Sequence, residues 1–104
     1  MPEFVVVFCT CRDQQEALHI ANALVERRLA ACVNVLPGVQ SLYRWEEKIE
    51  VDSEHLLLIK TTEERFETLR DAIAEMHSYE TPEILAVPVA GGSDKYLAWI
   101  RESV

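Results

Sequence analysis

An α+β domain of the split βαβ kind is predicted from three observations. Short β-branched runs and amphipathic helical stretches alternate in the order strand, helix, strand, strand, helix, strand, helix; one tight turn separates the second and third strands; and 49% hydrophobic residues in a chain of 104 supply one core of ordinary size. Residues 1–104 are read as a single domain, since a second has no room.

The opening run Phe4-Val5-Val6-Val7-Phe8-Cys9 is apolar on both faces, as a central strand requires. Asp13 with Glu16 three residues later resembles a capping box, and Ala17, Ile20, Ala21, Leu24 and Val25 recur at helical spacing up to about Leu29. From Ala31 the period becomes two. Val33 and Val35 alternate, Pro37-Gly38 marks a bulge or kink, and Val39, Ser41, Tyr43 and Trp45 resume the alternation. Glu46-Glu47-Lys48 is the predicted turn, and the returning strand runs from about Ile49 to Lys60. Thr61-Thr62-Glu63-Glu64 offers a second capping box, for a helix whose buried stripe is Phe66, Leu69, Ile73 and Met76 and which ends near His77. Pro82 bars its continuation. Ile84 to Val89 reads as a last strand with Pro88 at a sheet edge or bulge, and after Gly91-Gly92 Ser93 caps a short helix carrying Tyr96, Leu97 and Ile100.

The usual strand order for this motif makes the first and third strands central and puts both main helices on one face of the sheet. The other face is then bare, although the central strands are apolar on both sides, and another copy of the chain is its simplest cover. The hairpin points the same way: each arm runs for about 12 to 15 residues where about 5 or 6 is typical, so it overhangs the domain. Leu42, Tyr43, Trp45, Ile49 and Val51 would be exposed on it unless subunits pair.

Composition excludes several classes. The net charge of −8, from 18 acidic against 10 basic residues with no basic cluster, opposes binding to a phosphate backbone. No run approaches the roughly 20 apolar residues of a membrane span, and Met1-Pro2-Glu3 lacks the basic start of a signal peptide. Cys9, Cys11 and Cys32 cannot all pair within the chain, which argues against a secreted disulfide framework and for a reducing compartment; a cytoplasmic protein is expected. Neither G-x-S-x-G, a P-loop nor a dinucleotide fingerprint is present, and Gly91-Gly92 stands without the rest of a phosphate cradle, so no enzyme is expected.

Strand and helix directions bring several polar groups to one end. The first strand runs up to Cys9 and Cys11, and the second helix runs up to His77, Ser78, Tyr79 and Glu80. Two thiols and an imidazole form a ligand set for copper or zinc, although C-x-C alone is a weak signal and a pair of incidental strand cysteines reads as well. Cys32 starts the second strand, at the opposite end, where a small core residue also fits. His77 can instead serve the carboxyl end of its helix. Tyr79, Glu80 and Glu83 occupy a loop that is either a polar turn held by Pro82 or the lining of a cleft with Trp45 and Lys48 from the hairpin.

Five blocks of the chain carry a resemblance. Leu29-Ala30-Ala31-Cys32-Val33-Asn34 with Pro37-Gly38, Ser41-Leu42-Tyr43-Arg44-Trp45-Glu46 with Lys48-Ile49-Glu50, Leu57-Leu58-Ile59-Lys60-Thr61, His77-Ser78-Tyr79-Glu80-Thr81-Pro82-Glu83-Ile84 and Tyr96-Leu97-Ala98-Trp99-Ile100 closely resemble the CutA divalent-cation tolerance family. The resemblance implies a ferredoxin-like subunit assembled as a homotrimer with its sheets inward, as in the nitrogen-regulatory signal transducers. It also implies a cytoplasmic role in tolerance of divalent cations, copper above all, with no obligatory cofactor. It carries over Cys9, Cys32 and His77 as metal candidates; Cys11 is extra. Two residues depart from the family pattern: Glu47 replaces the usual glycine of the hairpin turn, and Ser78 the usual proline after the histidine. A second reading keeps the trimer as a signal-transducer-like scaffold whose intersubunit clefts take a small anionic metabolite or a partner protein, with Arg44, Lys48 and Lys60 as the favouring cations.

Overall fold

Alternation along the first strand decides the layout of the domain. In the computed structural model, which describes residues 3–104, β1 (Phe4–Cys11) turns Val5, Val7, Cys9 and Cys11 into the main core, each at most 2% exposed. Met1 and Pro2, on which the signal-peptide argument partly rests, lie outside the described residues.

The capping signal at Asp13 is used, with a difference. Helix α1 (Gln14–Glu26) starts with the Asp13 carboxylate accepting the Glu16 amide at 2.9 Å, but the Glu16 side chain accepts from the Arg12 amide at 3.1 Å, where a regular box would use the amide of the cap itself. The helix stops at Glu26, before Leu29. Arg28 adopts φ 57, and the Leu29 amide reaches back to the Leu24 carbonyl at 2.9 Å while that of Arg28 reaches Val25 at 3.1 Å, a Schellman motif that frees the chain to turn into the next strand.

Strands β2 (Cys32–Trp45) and β3 (Lys48–Thr62) form the long hairpin, of 14 and 15 residues. Pro37-Gly38 is a bulge, with the register shifting between Leu36 and Val39 and Gly38 at φ 74. The turn is shorter than expected. Lys48 already pairs with Trp45, leaving Glu46 and Glu47 alone in the loop at φ 49 and φ 68, the paired positive values of a two-residue hairpin turn.

The second capping box does not form. Thr61 and Thr62 are still strand residues, the Thr61 hydroxyl donates to the Leu29 carbonyl at 2.6 Å, and Thr62 makes no side-chain cap bond. A 3₁₀ turn over Glu63–Arg65 leads instead into α2 (Phe66–Met76), which ends as the His77 amide closes on the Ile73 carbonyl at 2.8 Å. Strand β4 (Leu85–Pro88) is shorter than predicted at both ends, and Ser93 caps α3 (Asp94–Ser103) by accepting the Tyr96 amide at 3.2 Å.

The sheet order is β2-β3-β1-β4, all antiparallel, with β1 and β3 central. Helices α1 and α2 cover the face bearing Val5, Val7, Leu57 and Ile59. Helix α3 packs Ile100 against Phe4 and Ala31 in a second, smaller cluster, and Arg101 grips Glu3 with a 2.6 Å contact. Beyond that cluster the sheet's other face keeps Leu36, Leu85 and Val87 exposed. Among the described residues no third strand pairs with the ribbon beyond the Cys11–His55 pair, and this overhang gives the chain its 45 Å long axis against 26 and 23 Å.

Candidate metal centre

Cys9 and Cys11 stand two residues apart on one face of β1, and the cap of α2 sets His77 over them. The donor atoms of the three residues lie within 4.8 Å of one another, with both thiols at 0% exposure and His77 at 9%. Two sulfurs and an imidazole at the edge of the core that holds Ala17, Leu57 and Ile73 suit a soft or borderline ion better than a hard one. The Cys9 thiol is pushed far up, first by its hydrogen bond with Cys11 and then by burial, so a metal that binds there must displace the proton.

The imidazole is fixed from both sides. Its Nε2 is 2.8 Å from the carbonyl of Thr10, the residue between the two cysteines, and its Nδ1 accepts the Tyr79 amide at 3.1 Å. The Tyr79 ring leans on it at 4.7 Å, and the Tyr79 hydroxyl donates to Glu54 Oε2 at 2.7 Å. Burial first, then that carboxylate, pushes the Tyr79 phenol up and keeps it a donor.

Glu16 closes the other side. Its Oε2 accepts the Ser78 amide at 2.8 Å and lies 3.9 Å from His77 Nδ1. Burial alone would raise this carboxyl, but Ser78, the Arg12 amide and His77 outweigh it and hold it below the usual carboxylate range. The proline of the family pattern at position 78 would lack that amide, so the departure at Ser78 adds a bond which the resemblance does not imply.

Cys32 is not brought to this group. It opens β2 opposite Lys60, whose Nζ is 3.9 Å from its sulfur and also bonds Asn34, and it sits beside Tyr96 of α3. The register Cys32–Lys60–Val6 puts it three residues down β1 from Cys9 and two strands across. Trp45 and Lys48 are also remote from Tyr79 within one chain: Lys48 and Glu54 stand six positions apart on β3, about 20 Å of strand. Glu80 and Glu83 are exposed on the loop, and Glu83 is near enough to Cys9 to oppose its ionisation.

Sequence reasoning does not single out Thr10, Glu16 or Glu54 as site residues. Glu16 carries a signal, which a helix cap accounts for. Thr10 contributes a backbone carbonyl that no residue type announces, and Glu54 needs the hairpin register before it can be placed beside Tyr79.

Comparison with known proteins agrees with this architecture. The family model described as CutA1 divalent ion tolerance protein matches residues 5–103. The divalent-cation tolerance protein CutA of Thermus thermophilus is 48% identical over 98 residues, spanning 94% of this chain and 95% of that one. The chloroplastic protein CutA of Arabidopsis thaliana is 44% identical over 99 residues, 95% of this chain, which spans 54% of the Arabidopsis protein's length. A solved structure of the divalent cation tolerance protein from Thermus thermophilus superposes with a TM-score of 0.94 at 47% identity, covering 96% of this chain and 97% of that one.

Proposed function

The chain belongs to the CutA1 divalent ion tolerance family, and on that footing we propose that it binds copper or a related metal ion in the pocket of Cys9, Cys11 and His77 and takes part in the cell's response to such ions. One observation carries the reading: three soft or borderline donors converge within 4.8 Å in an apolar core. The carried-over Cys32 stands outside the proposed ligand set because its neighbours are Lys60 and Tyr96.

We place the working unit as a cytoplasmic homotrimer of single-domain chains without catalytic activity. The exposed Leu36, Leu85 and Val87 on the open sheet face and the overhanging hairpin support self-association, because a monomer would leave them in water. Three free cysteines support a reducing compartment, and among the described residues no helix is long and apolar enough to cross a membrane.

The test is a copper competition titration under reducing conditions on the parent protein and on Cys9→Ser, Cys11→Ser and His77→Ala combined, with sedimentation of both. Copper is expected to bind the parent and not the triple variant, in a particle three times the 11.9 kDa chain mass. Equal affinity in the two proteins would refute the site, and a well-folded 11.9 kDa particle at low concentration would refute the trimer.

A second reading rests on the separation of Trp45 and Lys48 from Tyr79, Glu80 and Glu83. These side chains form a cleft only if a neighbouring copy brings its hairpin to the loop, and Arg44 and Lys48 would then offer positive charge to a small anion or a partner protein. Thermal shifts on metal-free protein with a metabolite library separate the two, since a stabilising metabolite supports the scaffold.

A further inference from the structure

Thr10 separates the two buried thiols, and His77 holds its carbonyl. With a carbonyl at Nε2 and an amide at Nδ1, one tautomer satisfies both neighbours: Nε2 carries the proton and donates to Thr10, and Nδ1 accepts from Tyr79. Both ring nitrogens are therefore occupied. An ion taking Nδ1 would strip the Tyr79 amide of its partner, and one taking Nε2 would cost the carbonyl of Thr10, a residue only 8% exposed, its short bond and leave it the 3.9 Å contact of the Cys9 thiol, which a metal on Cys9 would remove as well.

The thiols are held more weakly: Cys9 donates to the Thr10 carbonyl over a long 3.9 Å and shares a hydrogen bond with Cys11, and both S–H groups are given up when a metal binds. Their sulfurs lie within 4.8 Å of each other, so one ion can bridge them through two metal–sulfur bonds of about 2.3 Å. Four-coordinate zinc would need two further donors. Among the described residues His77 is the one other donor that converges with the thiols; the carboxylates of Glu16 and Glu83 act on Cys9 by charge but stand outside the group of donors within 4.8 Å. A divalent ion would balance two thiolates better in charge, but the pocket cannot complete its coordination shell. Coordination number is the constraint that decides.

Building on the reading of this pocket as a copper site, we propose that Cys9 and Cys11 bind a soft monovalent ion of the Cu(I) class through two thiolates, with His77 a positioning residue that fixes the strand between them. Thiolate donors favour Cu(I). Binding breaks two S–H bonds, releases two protons and forms two metal–sulfur bonds, with no change in oxidation state. Cys11 is the residue that turns a lone strand thiol into this pair.

Anaerobic protein in excess reductant is titrated with Cu(I) against a colorimetric Cu(I) chelator, with Ag(I) as the redox-inert counterpart and Zn(II) in parallel against a zinc-binding dye. We expect one Cu(I) or Ag(I) per chain, weaker Zn(II), and a copper X-ray absorption spectrum with sulfur and no nitrogen in the inner shell. His77→Gln is expected to lower Cu(I) affinity by about 10-fold, on the scale of a residue acting through the ligands, and Cys9→Ser or Cys11→Ser by more than about 100-fold. A nitrogen in the copper shell of the parent protein would overturn the proposal, and that measurement needs no variant to fold. Cys11→Ser binding as tightly as the parent would overturn it too. Zn(II) retained while Cu(I) and Ag(I) are refused would sink the monovalent assignment alone, whereas a protein that retains no ion would sink the reading of the pocket as a metal site.

Discussion

His77 donates from Nε2 to the carbonyl of Thr10 at 2.8 Å, tying the end of α2 to the central strand at the residue flanked by two thiols. The bond satisfies a strand carbonyl and orients the ring in one step, so a single side chain couples the packing of the helix to the geometry of the thiol pair.

Removal of this tie should be expensive even without metal. His77→Ala leaves the Tyr79 amide without its partner and the Thr10 carbonyl with only the 3.9 Å contact of the Cys9 thiol, and we expect a loss of about 2–3 kcal/mol in urea denaturation at fixed protein concentration under reducing conditions. His77→Gln should recover part of it. An unchanged midpoint for His77→Ala would mean that water replaces the ring at no cost.

Ser78 tests the opposite face of the ring. Ser78→Pro stiffens the unfolded chain but removes the amide that Glu16 accepts at 2.8 Å, a bond to a charged acceptor worth about 1.5–3 kcal/mol against an entropic gain of about 0.4–1 kcal/mol. Net destabilisation of about 0.5–2.6 kcal/mol is expected from those two magnitudes, read by chemical denaturation. A more stable Ser78→Pro protein would show that Glu16 finds another donor.

The hairpin tip predicts a gain. Glu46 and Glu47 both sit at positive φ, where an L side chain crowds its own backbone at about 1–2 kcal/mol per residue. Glu46→Asn with Glu47→Gly matches what this turn favours and should stabilise by about 1 kcal/mol or more in thermal unfolding. Equal stability would show that the glutamates find compensating contacts at the tip.

Tyr43 provides a pH signature on the same ribbon. Its hydroxyl donates to the Asp52 carboxylate, and that bond first, with burial and the charges of Asp52, Glu50 and Glu54 behind it, pushes the phenol up to about 12. The folded value lies above the ordinary value of about 10, so the bond's contribution is whole below about pH 10 and is lost as pH rises through the folded value. Tyrosinate absorbance should therefore show Tyr43 titrating late, as Tyr79 also does, and Asp52→Asn should return chiefly the Tyr43 phenol toward the ordinary value.

Much of this architecture is legible in the sequence because it follows from period and punctuation. Once Val5 and Val7 face the helices, parity alone carries Cys9 and Cys11 to the same side, and the stripe of Leu69, Ile73 and Met76 leads α2 to its end beside His77. Boundaries governed by competing backbone bonds are less readable. Arg28 closes α1 in a conformation that favours glycine, and Thr61 keeps to the strand because its hydroxyl reaches Leu29, across 32 residues of sequence. The same limit hides Glu54, whose meeting with Tyr79 depends on the long-range β1–β3 register that pairs Cys11 with His55.

Both thiols are sealed at 0% exposure on the innermost strand of the sheet, and no ion can diffuse to them through the resting fold. On the proposed metal-binding reading, capture would wait for a local opening with its own clock, and the segment after α2, held by the bonds of His77 and Ser78, is the nearest cover to release. At high ion concentration uptake then stops accelerating and settles at the tempo of that opening, so brief surges would leave little trace and sustained exposure would fill every chain.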